Sequence, residues 1–131
     1  MNETLKHSKE WIKKAENDLI VAKHSLTLKP VAPYDIICFH AQQCAEKYLK
    51  AYLVYKGIEF EKTHDLGELI GLASAEDNNF MELIDIAERL TDYAVDVRYP
   101  GIEEPTKEEA KEAIEIAEKI KEFILKRLPS K

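Results

Sequence analysis

Apolar residues recur at three- and four-residue steps along most of the chain, the period of a helix with one buried side. Trp11, Ala15, Leu19, Ala22 and Leu26 trace such a stripe and predict a first helix from about Ser8 to Leu28. Lys29, Pro30 and Pro33 end it, because proline lacks the backbone donor that a helix ladder needs. Pro33 also suits the first turn of a second helix running to Tyr55 or Lys56, with Gly57 as its stop. A short third helix opens near Thr63–Asp65 and carries Leu66, Leu69, Ile70 and Ala73. After a turn at Glu76–Asn79, a fourth helix turns Phe80, Leu83, Ile84, Ala87, Leu90 and Ala94 inward and ends before Pro100. Thr106 followed by Glu109 has the spacing of a capping box. It opens a last helix whose buried stripe is Ala110, Ala113, Ile114, Ala117, Ile120, Ile124 and Leu128. Glu115–Lys119 and Glu122–Lys126 are expected to pair on its outer face. No run reads as a strand. The expectation is an all-α, up-and-down bundle of four long helices plus one short one, forming a single domain over residues 1–131.

The second helix breaks the simple pattern. Ile37, Ala41, Cys44, Ala45, Tyr48, Ala51, Tyr52 and Tyr55 form its main apolar face, yet Ile36, Phe39 and Val54 lie on the other side. A helix apolar nearly all round is central to its bundle or has a second contact. In a domain this small, a second copy of the chain is the expected source, so a homodimer is predicted.

The net charge of −6 argues against a generic binder of phosphate backbones, which carries a basic surplus. The excess is local: seven acids lie between Glu76 and Val97 against Arg89 alone. Glu82, Asp85, Glu88, Asp92 and Asp96 make an outward stripe there, which would suit a scaffold role toward a basic protein. No apolar run approaches the length of a membrane span or a signal peptide, so a cytoplasmic protein is expected. The two cysteines, Cys38 and Cys44, sit on different faces of one helix and read as buried free thiols.

Common catalytic arrangements are absent. The four histidines, His7, His24, His40 and His64, lack the spacing of a shared helical metal site, and no cofactor is implied. The four glycines never cluster into a phosphate loop, and no serine or cysteine has a readable neighbouring base. His64 with Asp65 reads as part of a helix cap, and Glu46 with Lys50 as an ordinary helical ion pair. Two places stand out. On the second helix, His40, Gln43 and Lys47 fall within an arc of about 60° at the edge of the apolar face. Such residues bond across the bundle or bind a ligand. At the end of the fourth helix, Arg98 meets Tyr99, Pro100 and Gly101. Its guanidinium either pairs with Asp92 or Asp96 or holds a phosphate or base.

These stretches carry a resemblance. The run FHAQQCAEKYLKAYL (39–53), the segment Lys62-Thr63-His64-Asp65-Leu66 and the segment Tyr93…Arg98-Tyr99-Pro100-Gly101 resemble the HEPN domain family. The opening helix with Trp11, Ala15, Asp18-Leu19 and Ala22 fits it too. The resemblance implies a dimeric helical bundle related in fold to the substrate-binding part of certain nucleotidyltransferases. It implies nucleotide or RNA binding, and a separately encoded minimal nucleotidyltransferase as partner. By the same resemblance, His40, Gln43, Lys47, Arg98 and Tyr99 are the nucleotide-binding residues.

One departure bears on chemistry. Family members with ribonuclease activity carry an Arg followed, after four to six residues, by a His. After Arg98 come Tyr99 to Pro105 with no histidine. Metal-independent RNA cleavage needs a group to take the 2′-hydroxyl proton, for which His is the usual choice. The reading is therefore a non-catalytic binding module, with a toxin-like ribonuclease and a protein-interaction scaffold as the alternatives.

Overall fold

The computed structural model describes residues 3–94 and 104–129. These form α1 (Glu3–Ser25), α2 (Tyr34–Lys56), α3 (Leu66–Ser74), a 3-10 helix (Asn78–Leu83), α4 (Ile84–Ala94) and α5 (Lys107–Leu125). The described residues contain no strand, and the all-α bundle expected from the periodicity is the fold.

α2 is the hub. It packs on α1, α3, α4 and α5, and thirteen of its residues are buried. α1 runs antiparallel to it: Ser8 Oγ, near the start of α1, donates 2.8 Å to the carbonyl of Ala51, near the end of α2. The 3-10 helix and α4 together run back along α2, with Phe80 of the 3-10 helix against Tyr52 at one end and Thr91 of α4 reaching Gln42 at the other. Tyr48, Tyr52, Phe80, Ile37, Leu49, Leu53 and Ile120 are among the fully buried side chains. Each such side chain contributes roughly 1.5–3 kcal/mol of transfer free energy.

Local signals explain the helix ends. Gly57 closes α2 at φ 70°, a left-handed conformation that glycine adopts without a Cβ penalty. Asp65 caps α3 by accepting from the Glu68 backbone, and Thr106 and Glu109 complete the capping box of α5. Two expectations shift. The first helix starts earlier and stops earlier than Ser8–Leu28, because Thr27 and Leu28 close a turn on His24 and Ser25 instead of extending the ladder. The fourth helix opens as a 3-10 turn, with Asp77 accepting from the Asn79 backbone at its start.

The charges on α5 pair differently from expectation. Lys121 reaches Glu16 of α1 at 2.9 Å, Lys23 of α1 reaches Glu118, and Arg89 of α4 reaches Glu112 at 2.7 Å. The expected pairs Glu115–Lys119 and Glu122–Lys126 are not among the ion pairs of the described residues; those of α5 run to neighbouring helices through Glu112, Glu118 and Lys121. At the far end Arg127 lies 3.5 Å from the Phe123 ring centre and donates 2.8 Å to Asp77, tying α5 to the 3-10 turn. No helix among the described residues is long and apolar enough to cross a membrane.

Candidate functional site

His40, Gln43 and Lys47 share one strip of α2, as their spacing requires, and all three are half-buried. What joins two of them comes from α1. Asp18, mostly buried on the inner face of α1, offers Oδ1 to His40 Nδ1 at 2.8 Å and Oδ2 to Lys47 Nζ at 2.6 Å. Asp18 sits among Ala15, Leu19 and Ala22, so the fold places an acid on an apolar face and satisfies it with two donors from the next helix.

This clamp has two chemical consequences. A carboxylate already taking a hydrogen bond from an ammonium offers the imidazole only acceptor oxygens, so His40 Nδ1–H donates and Nε2 is left as the free ring nitrogen. The positive charge of Lys47 is matched locally by Asp18, so the strip offers hydrogen-bonding groups more than net charge. The side chain of Gln43 makes no hydrogen bond among the described residues, leaving its amide free to donate and accept. Phe39, 38% exposed, stands beside His40 with its ring edge-on at 5.3 Å between centres.

A second arrangement of the same kind lies on the flank of this strip. Glu46 and Lys50, expected as an ordinary helical ion pair, are both buried, with Nζ 2.9 Å from Oε2. The rings of Trp11 and Phe60 sit 5.4 and 5.8 Å from the ammonium, so aromatic faces complete its surroundings. The other bond to Glu46 comes from His64, whose Nδ1 lies 3.0 Å from Oε2. Gln42 Nε2 donates to the His64 carbonyl at 3.3 Å. His64 is thus not the cap of α3, which Asp65 supplies; its ring turns back to α2.

Arg98 and Tyr99 lie outside the described residues, as does Asp96. Asp92 is exposed at the end of α4, as are Glu82, Asp85 and Glu88 of the expected acidic stripe. The next residue, Tyr93, donates its hydroxyl to Glu112 beside Arg89. That bond and burial push the Tyr93 phenol up to about 12, while Tyr93 and Arg89 together hold the Glu112 carboxyl below its usual range. Beneath the strip, burial pushes the Cys38 and Cys44 thiols up to about 12, so neither supplies a nucleophile.

Sequence reasoning missed Asp18 and Glu46 as site residues, and read His64 as part of a helix cap. Asp18 carried a signal, an acid in phase with an apolar stripe. Nothing in the sequence tied His64 to Glu46, because the pairing depends on how residues 57–65 fold back over α2.

The family model for the HEPN domain matches residues 8–128. The chain belongs to the HEPN domain family. A protein from Methanocaldococcus jannaschii named "Putative toxin MJ1304" is 36% identical to this HEPN domain, covering 92% of the chain and 87% of the relative. Among solved structures, ST0689, titled an archaeal HEPN homologue, matches with a TM-score of 0.72 at 30% identity, over 92% of this chain and 96% of that one. TT1696 from Thermus thermophilus matches with a TM-score of 0.76 at 30% identity, over 92% of this chain and 98% of that one. The HEPN family and helical fold expected from the FHAQQCAEKYLKAYL run are thereby shown.

Proposed function

We propose that this HEPN domain is a nucleotide- or RNA-binding module that serves a separately encoded minimal nucleotidyltransferase as its substrate-binding partner. The observation that carries the binding reading is the half-buried strip of α2. There Asp18 fixes His40 and Lys47, while Nε2 of His40 and the amide of Gln43 stay free for a ligand. Rigidly held donors and acceptors beside an exposed aromatic ring suit a nucleotide, whose base stacks and whose edges hydrogen-bond. Arg98 and Tyr99 are proposed to add a guanidinium and a phenol to the same ligand. The exposed Ile36 and Phe39 beside the strip fit the proposed homodimer.

The test is calorimetric titration with nucleoside triphosphates and anisotropy with a labelled short RNA, on the wild type and on Gln43→Ala and His40→Ala. Saturable binding, weakened about fivefold or more by either change as loss of one hydrogen bond allows, supports the reading. Absence of binding to all ligands rejects it. Co-expression with the neighbouring nucleotidyltransferase, if one is encoded, tests the partner separately.

A second reading, metal-independent RNA cleavage, is favoured by the toxin name of the Methanocaldococcus relative. It also has a chemical basis in His40, an imidazole oriented by a carboxylate. Cleavage that persists with chelator and disappears in His40→Ala would place it first.

A further inference from the structure

His64 holds a position that helix capping does not explain. Asp65 Oδ1 takes the Glu68 backbone donor at 3.2 Å, and Thr63 Oγ1 takes the Asp65 donor at 3.1 Å. The start of α3 is therefore satisfied without the imidazole. The ring instead reaches Glu46, whose side chain is only 3% exposed, while the His64 side chain itself is 73% exposed. A buried carboxylate thus grips one edge of a ring whose other edge faces solvent.

The hydrogen-bonding sense of that outer edge follows from its inner partners. Lys50 Nζ is donor-only and bonds Glu46, so the carboxylate can offer His64 only acceptor oxygens. Nδ1–H donates to both oxygens, at 3.1 and 3.0 Å, and in the neutral imidazole Nε2 is then a lone-pair acceptor. It bonds no group among the described residues. Glu46 lies three residues from Gln43 and four from Gln42, so this acceptor borders the strip on the side away from Asp18.

An outward acceptor, held against rotation, selects for a donor on the ligand. Phosphate oxygens are acceptors and are poorly matched to it. A hydroxyl is well matched, and in nucleic acids the ribose 2′-hydroxyl is the donor that separates RNA from DNA. We propose that His64, positioned by Glu46, accepts a hydrogen bond from a ribose 2′-hydroxyl and makes the α2 strip selective for RNA over DNA. This inference rests on the strip binding a nucleotide strand, and it adds a residue and a specificity to that reading.

The experiment measures anisotropy of short, labelled single strands matched in length and base sequence: RNA, DNA and 2′-fluoro RNA. The fluoro strand keeps the ribose-like pucker but lacks the hydroxyl donor. The wild type is expected to bind RNA about three- to tenfold more tightly than DNA, as one hydrogen bond allows, with the fluoro strand behaving like DNA. In His64→Asn the amide stands where Nδ1 stood, so the bond to Glu46 is kept and only the outer acceptor is lost. This variant is expected to keep the wild-type melting temperature and DNA affinity while its RNA affinity drops to the DNA value. A merely structural His64 would change stability and leave the RNA-to-DNA ratio intact. Equal binding of RNA and DNA by the wild type, or an RNA preference that survives in His64→Asn, overturns the inference while leaving the binding reading in place. Failure of every strand to bind overturns the inference, and failure of the nucleoside triphosphates as well overturns both.

Discussion

Glu46 and Lys50 stand one helical turn apart on α2 with their charged ends 2.9 Å from each other, and neither side chain is more than 6% exposed. An ion pair withdrawn from water this far contributes little by itself, but removing one partner strands the other. Glu46→Ala is therefore expected to lower unfolding free energy by about 3–5 kcal/mol. Glu46→Leu combined with Lys50→Met is expected to recover most of that loss. Urea denaturation of the two variants checks it; a double variant as unstable as the single one would contradict the stranded-charge account.

Asp18 cancels the charge of Lys47 on the strip. Asp18→Asn keeps an acceptor for His40 and frees the ammonium. Binding of single-stranded RNA should then become more salt-dependent, with the log–log slope steeper by about 0.7 for one phosphate gained. Anisotropy titrations across a series of salt concentrations read this directly, and an unchanged slope would mean that Lys47 never meets a phosphate.

Three carboxyls among the described residues are held below their usual range. At Glu16 burial opposes ionisation, but hydrogen bonds from Tyr48 and Lys121 outweigh it. At Asp77 the Arg127 guanidinium leads, and at Glu112 the Tyr93 hydroxyl does, followed by Arg89. A carboxyl depressed in the folded state supports stability fully above its unfolded value and loses that support as pH falls through the folded value. The melting temperature should thus decline as pH drops below the ordinary values of 4.5 for Glu and 3.8 for Asp. Tyr93, raised to about 12, acts in the opposite sense: its support is present below its ordinary value of 10.0 and lost as pH rises toward 12. Glu112→Gln should flatten both limbs of a calorimetric pH series.

Cys38 and Cys44 are fully buried and their thiols are pushed up to about 12, chiefly by burial. A disulfide reagent at mildly alkaline pH should label neither in the folded protein and both in urea. Rapid labelling of the native protein would show that α2 opens locally.

Ile36 and Phe39 are 40% and 38% exposed beside the strip. If a second copy covers them, Phe39→Glu should convert a dimer to a monomer in sedimentation velocity without lowering helicity. A wild type that sediments as a monomer removes the dimer.

The helices were legible because periodicity and end signals are local: Gly57, Asp65 and the Thr106–Glu109 pair act within one turn of chain. The arc of His40, Gln43 and Lys47 was legible for the same reason. Its meaning was not, because the residue that organises it, Asp18, comes from another helix. The Glu46–Lys50 pair shows the limit well. Its spacing is that of a surface pair, and only the packing of Trp11, Phe60 and His64 around it removes the water.

The hub position of α2 shapes how such a site can be controlled. The same helix that presents the proposed ligand-facing groups supplies the centre of the hydrophobic core, so its strip cannot be reshaped without disturbing the whole domain. A route of inhibition that leaves the core untouched is an antagonist that sits over the strip and hides it.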